Sequence, residues 1–342
     1  MPDLSEQFRQ HFGHREHLYG VLLAELADDL DADGVSARIC REVRHTATRS
    51  DAIALRLLAG VFRIVLRGEA PDLAACYPCL GGTAPAEAAW PLLRPVLAAH
   101  EAELRAALDR PPQTNEVGRS AVLLLGLFEA VREHRLGRIR LLEPGASAGL
   151  NLNIGWYGFA GPGWSFGPAD SVVHIETSAA GAVPEAIEIV QRRGCDLAPI
   201  DISSAPNRDY LTSFVWPWQL DRHARLAGAF AIAQQHPVPL DRAPAAAWLA
   251  EQLSIDPGPG VLTVVWESIT RQYWPASEAA AVDALIASAR SRIPLAHITM
   301  EGLPPVQGTD GYAVATHGPE LRLDGRLLGR SHHHGPPVLL AS

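Results

Sequence analysis

Residues 138–152 read RIRLLEPGASAGLNL, and this stretch decides the fold. Ile139–Glu143 is a short run, aliphatic but for Arg140, that ends in an acid, the pattern of a buried strand. Gly145, Ala146, Ser147, Ala148 and Gly149 follow as a turn of small residues, and a helix is expected to begin near Gly149. Small residues let a ligand approach the backbone closely. A strand, a tight turn and a helix start would place free amides and the positive end of a helix dipole at one mouth, which suits a nucleotide-like ligand.

Working outward, short apolar runs alternate with helical stretches. Further strands are expected at 172–176, 197–202, 261–266 and 295–300, and helices at 184–193, 208–235, 243–253 and 277–291. Such alternation predicts a mostly parallel sheet covered on both faces. The tail differs: YAVATHG, PELRL, the Asp324-Gly325 pair and RLLGR predict antiparallel strands at the C-terminal end. Upstream, Leu18, Val21, Leu22, Leu26 and Leu30 keep helical spacing, as do Leu55, Leu58, Phe62 and Val65. Residues 71–95 form a Pro- and Gly-rich connector, and a helix is expected over 92–108. Thr114 or Asn115 would cap another that runs to about His134. The layout is therefore an all-helical N-terminal region, 1–135, followed by an α/β domain, 136–342.

Composition narrows the chemistry. The 342 residues carry 29 basic and 38 acidic side chains, a net charge of −9, with no basic run to track nucleic acid. None of the basic residues is lysine, which excludes a Schiff-base lysine and a Gly-Lys-Ser/Thr phosphate loop. No apolar leader opens the sequence and no window suits a membrane span, so a cytoplasmic address is expected, without a membrane partner. Four cysteines, Cys40, Cys76, Cys79 and Cys195, are too few for a disulfide scaffold.

Two readings compete for the glycine turn. Gly145-Ala146-Ser147-Ala148-Gly149 matches G-x-S-x-G, the elbow of α/β-hydrolases, with Ser147 as nucleophile. Asp201 or Glu267 would then supply the acid, and His317 or one of His332–His334 the base. The segment Glu143-x-Gly-x-x-x-Gly also resembles the first motif of class I S-adenosylmethionine-dependent methyltransferases, over about residues 136–330. Three features favour the second: a helical upstream region without an oxyanion loop, the Glu143-Pro144 pair between strand and turn, and the order of the later strands. A non-catalytic binding protein on the same fold remains the third reading. The whole chain is also similar to an uncharacterised bacterial family, through YPCLGG, PQTNEVGR, LLEPGASAGLNL, RRGCDLAPID, VWPWQLDR and VVWESITRQYWP. That similarity carries no activity.

The methyltransferase resemblance implies a Rossmann-like domain, S-adenosylmethionine as cofactor and a small-molecule acceptor. Glu143, Gly145, Ala146, Ser147, Gly149 and Asn151 would line the methionine end. Glu176 would hold the ribose hydroxyls, and Asp196 or Asp201 would reach the adenine. Glu267, Tyr273 and His333 would face the acceptor as catalytic groups, with Asn115, Arg119 and Trp274 binding it. The strand ending Val264-Val265-Trp266-Glu267-Ser268 lacks the Asn-Pro-Pro-Tyr of enzymes that methylate amide or base nitrogens, so oxygen is favoured as acceptor atom. No metal is expected; oligomeric state is left open, a homo-oligomer included. Cys76-x-x-Cys79 lies in the connector and is set aside as a redox or metal motif. His11, His14 and His17, at spacing three, read as a solvated helical face.

Overall fold

In the computed structural model, the described residues are 3–11, 17–48, 51–302 and 314–341. The chain divides into two compact units. The first comprises Met1–Thr114 with Ser204–His223, and the second centres on the sheet and takes in Asn115–Ser203 and Ala224–Pro305. The division thus falls before residue 115, and the helix Arg119–His134 groups with the sheet.

The first unit is helical, as expected from its 3.6-residue periodicity. The helix Ile53–Leu66 buries Leu57, Leu58, Val61, Phe62 and Val65 along one face, and Leu18–Asp31 buries Leu22, Leu23 and Leu26. These side chains share one apolar core with Leu93 and Leu104. The anticipated helix over 92–108 is two helices, Ala89–Ala99 and Glu101–Ala107. Of the three histidines read as a solvated face, His14 lies outside the described residues. The other two are structural: burial pushes the His11 imidazole down to about 4, and the His17 ring accepts the Gly20 N–H at 3.1 Å and stacks on Trp218 at 4.0 Å. His17 therefore caps a helix. No disulfide joins Cys76 and Cys79, and burial pushes the Cys79 thiol up to about 11.

In the second unit the strands are β1 (Arg138–Pro144), β2 (Gly158–Gly161), β3 (Trp164–Phe166), β4 (His174–Glu176), β5 (Glu188–Asp196), β6 (Leu240–Arg242), β7 (Val261–Ser268), β8 (Leu295–Glu301), β9 (Glu320–Leu323), β10 (Arg326–His332) and β11 (Gly335–Leu340). Among the described residues, eight form one sheet in the order β11-β10-β9-β8-β7-β1-β5-β6. The ladders from β6 to β8 are all parallel, and those from β8 to β11 antiparallel. The antiparallel end and the Asp324-Gly325 hairpin match expectation; both turn residues have positive φ, at +51° and +84°. Tyr312 and Ala313 lie outside the described residues, and Val314–His317 is a helical turn where a strand was anticipated.

Three differences from the sequence reading matter for the site. Residues 188–196 form β5, not the second half of a helix over 184–193: parallel pairing of Ile189 with Ile139 and of Gly194 with Glu143 overrides a weakly helical pattern. No strand occupies 197–202, and 172–176 contributes only β4, which pairs with β2 in a separate three-stranded sheet. The turn after β1 leads into a short 3₁₀ helix, Leu150–Trp156, and not an α-helix. The helix Arg119–His134 lies on the sheet, where Gly126 permits close approach: a Cβ there would stand 2.6 Å from Ile298.

The parallel strands run third, second, first, fourth, fifth across the sheet. The winding direction therefore reverses between β1 and β7. In open α/β sheets, ligands bind at such a reversal, outside the carboxyl ends of the strands.

Candidate functional site

The turn after β1 and the turn after β7 meet at that reversal. Gly145, Ser147 and Gly149 all have positive φ, at +77°, +55° and +70°. Gly145 is required twice, since a Cβ would also stand 2.2 Å from Thr270 Oγ1 on the other turn. Ile269, beside Thr270, has φ +50°, an uncommon state for a β-branched residue. Strained backbone thus flanks the crevice on both sides, and such strain concentrates at functional sites.

The backbone amides of the glycine turn are used inside the protein. Gly145 N–H and Ala146 N–H both donate to the Cys195 carbonyl, at 2.8 and 2.9 Å, and Gly149 N–H donates to the Ala146 carbonyl at 2.7 Å. Ser147 N–H donates to Asp196 Oδ2 at 2.9 Å, and Leu150 N–H to Asn115 Oδ1 at 2.8 Å. Among the described residues only Ala148, of 145–150, has an amide without a partner. The expected mouth of free amides and helix dipole is therefore absent: the end of β5 and the Asn115 side chain satisfy the donors first. The turn is not a phosphate cradle.

The site presents carboxyl groups instead. Glu143 is buried at the end of β1, and burial pushes its carboxyl up to about 8, with Asn151, Arg119 and Trp266 opposing the shift. The Trp266 indole nitrogen is near enough to favour the Glu143 charge, but neither it nor Glu143 Oε2 makes a hydrogen bond of good geometry. The Arg119 guanidinium feels the Glu143 charge but donates to the carbonyls of His333 and Ser268, at 3.0 and 3.3 Å. Asn151 is fixed by the Ser120 hydroxyl, which donates to its Oδ1 at 2.8 Å. On the next strand Glu267 is equally buried, yet Arg271 donates to both of its oxygens and His297 lies 3.0 Å from Oε1. Burial raises its pKa, but His297 and Arg271 outweigh that and hold it below the usual carboxylate range.

Glu301 ends β8 and was missed in the sequence, although an acid closing the apolar run LAHITME is the same signal as Glu143 closing β1. Its Oε1 accepts from the N–H groups of Thr270 and Arg271 at 3.0 and 3.3 Å, and burial pushes its carboxyl up to about 7.

The remaining candidates separate. Glu143, Gly145, Ala146, Ser147, Gly149, Asn151, Asn115, Arg119 and Asp196 come together at the ends of β1 and β5. Glu176 does not: it is an exposed residue of the small sheet, so it cannot end the strand beside β1. Asp201 is exposed and bonds the backbone and hydroxyl of Ser203, an ordinary loop role. Tyr273 is 74% exposed, with its phenol close enough to Arg119 and Glu301 to feel both charges. Trp274 packs at the edge of the core around Trp248 and Val282. His333 enters through its carbonyl, and its ring lies tilted against those of His332 and His334, with centroids 4.2 and 3.8 Å away. Glu267 is paired with Arg271 and His297. Ser147 has the positive φ of a strained nucleophile, but its buried Oγ has no hydrogen-bond partner, hence no histidine in bonding reach.

The match to known families agrees with this layout in extent. The chain belongs to a family described as an uncharacterised protein conserved in bacteria, DUF2332. Its profile covers residues 4–339, so both compact units fall within the family. No curated protein and no solved structure matches the chain. No described helix is long and apolar enough to cross a membrane.

Proposed function

We propose that the sheet unit binds S-adenosylmethionine and transfers its methyl group to a small-molecule acceptor, with oxygen favoured. One observation carries the reading: a buried carboxyl, Glu143, has an open oxygen at the strand reversal, beside a turn with no spare amide cluster for phosphate. A ligand for this crevice should bring hydrogen-bond donors and no phosphate. An amino acid ammonium and a ribose fit, whereas a dinucleotide or a nucleoside triphosphate does not. The strand order and its antiparallel end support the same reading.

Glu143 would accept from the ammonium, an arrangement that repays the cost of burying its charge. Asp196, the last residue of the strand beside β1, would take the ribose in place of Glu176. Both its oxygens already hold backbone amides, and a carboxylate has lone pairs for further donors. When bound, the cofactor supplies an activated methyl group. The protein then has to align the acceptor and exclude water.

The test is a thermal unfolding scan with S-adenosylhomocysteine, S-adenosylmethionine, NAD and ATP. A shift with the first two alone is expected, by a few degrees at ligand concentrations near 100 times the dissociation constant, about 2.7 kcal/mol. A shift with NAD or ATP alone would sink the reading. The same scan with Gly149→Arg should show no shift, because the guanidinium chain would fill the turn.

A further inference from the structure

We propose that Glu301 is the general base of this site, taking the proton from an acceptor hydroxyl, and that Glu267 serves only to hold the neighbouring turn. This rests on the transferase reading above.

The two acids end adjacent strands, since Glu267 pairs with Thr299 and Ser268 with Met300 in the β7–β8 ladder. Their surroundings are opposite. Glu267 has a guanidinium and an imidazole on its carboxylate, and a group so neutralised has no reason to take a proton. Glu301 is anchored through one oxygen only. Thr270 and Arg271 N–H groups fix Oε1, and Oε2 has no partner among the described residues. The anchor is the residue that touches the glycine turn, because Thr270 Oγ1 fills the space where a Gly145 Cβ would be. A carboxyl with one oxygen oriented by backbone and the other open is the form a base needs: fixed direction with a free lone pair.

The groups that face Glu301 set its proton affinity. Burial raises it; the two backbone donors and Arg119 lower it, and Glu267 raises it through like charge. The Tyr273 phenol feels the charges of Glu301 and Arg119. On β9, the paired residue Glu320 is neutralised by Arg322 and Arg330 and adds little. The resulting value near 7 is matched to a base working at neutral pH. In the step itself the acceptor O–H bond breaks, its electron pair stays on oxygen, and the proton forms an O–H bond at Glu301 Oε2.

The experiment has three readouts on the full chain, with Glu301→Gln and Glu301→Asp. Gln keeps the carbonyl oxygen that accepts from Thr270 and Arg271, so folding should hold. Carboxyl-carbon NMR of the ligand-free protein, labelled at glutamate, should show a titration near pH 7 that disappears in Glu301→Gln. Calorimetry should find S-adenosylhomocysteine binding unchanged within about threefold in both variants. Transfer from tritium-labelled S-adenosylmethionine to a panel of phenols and hydroxy acids should fall at least about 100-fold in Glu301→Gln and lose its rise with pH, with partial recovery in Glu301→Asp. Wild-type rates in Glu301→Gln, or an ordinary acidic titration of Glu301, overturn the base and leave the transferase reading intact. Cofactor binding by the wild type without transfer to any panel member also overturns the base. Failure of the wild type to bind S-adenosylhomocysteine overturns both.

Discussion

Glu143 and Glu267 end neighbouring parallel strands, and both are buried, at 2% and 0% exposure. Glu267 meets a guanidinium and an imidazole; Glu143 meets an indole, an amide and a guanidinium already engaged by carbonyls. Burial is the same, so burial does not separate a carboxylate that is already paired from one that is still open. The counter-charge does. A buried acid with its cation in place is finished, whereas a buried acid without one retains binding capacity that a ligand can use.

The comparison can be broken most strongly through pH. The folded state raises the Glu143 pKa from the usual 4.5 to about 8, so it binds more protons than the unfolded chain between those values. The Glu143 contribution should therefore fall as pH rises from about 5 to 8, by at most about 1.4 kcal/mol per pH unit, and level off above. Below about 6.5, His11, held down to about 4 by burial, contributes the opposite slope, so the net fall is expected between about 6.5 and 8. Glu301 adds the same sign up to about pH 7. Urea unfolding at pH 5, 6.5 and 8 checks this, and Glu143→Gln should flatten the slope. The same pH slope in the wild type and in Glu143→Gln would mean that Glu143 has a counter-charge after all.

The complementary change is Arg271→Ala, which leaves Glu267 buried with His297 alone. A loss of about 3 kcal/mol is expected by denaturant unfolding at neutral pH. A loss below about 1 kcal/mol would remove the distinction between the two acids. Next comes Gly145→Ala, which should cost about 2 kcal/mol, because the turn needs positive φ and a Cβ would collide with Thr270. The smallest effect belongs to Ser147→Ala. It should change stability by under about 1 kcal/mol. Neither it nor the wild type should label with a fluorophosphonate; labelling of the wild type alone would restore the hydrolase reading.

Much of this sheet is legible in the sequence. β1, β7 and β8 are mostly apolar, with Arg140, Thr263, His297 and Thr299 as the polar exceptions in their interiors, because each is flanked by strands on both edges and largely buried. The Asp324-Gly325 turn announces its hairpin by residue type alone. β5 is not legible, since Gln191, Arg192 and Arg193 interrupt its apolar pattern and only pairing with β1 makes it a strand. With 184–193 read as helix and 172–176 as the next strand, the acid beside β1 would be Glu176; the pairing of β5 with β1 makes it Asp196. The residues of the glycine turn were legible as a group, but the capture of their amides was not: it depends on Cys195, Asp196 and Asn115, which reach the turn from other segments. Glu301 escaped for a different reason. Its strand was found, and its acid became significant only through the turn that anchors it.

The amide bonding of the glycine turn has a kinetic consequence. Held by Cys195, Asp196 and Asn115, the turn has its final shape before any ligand arrives. Binding at this wall of the crevice therefore needs no ordering of the loop and forfeits little chain entropy. Association should appear as one exponential whose rate grows linearly with ligand concentration, without the plateau that marks a slow rearrangement.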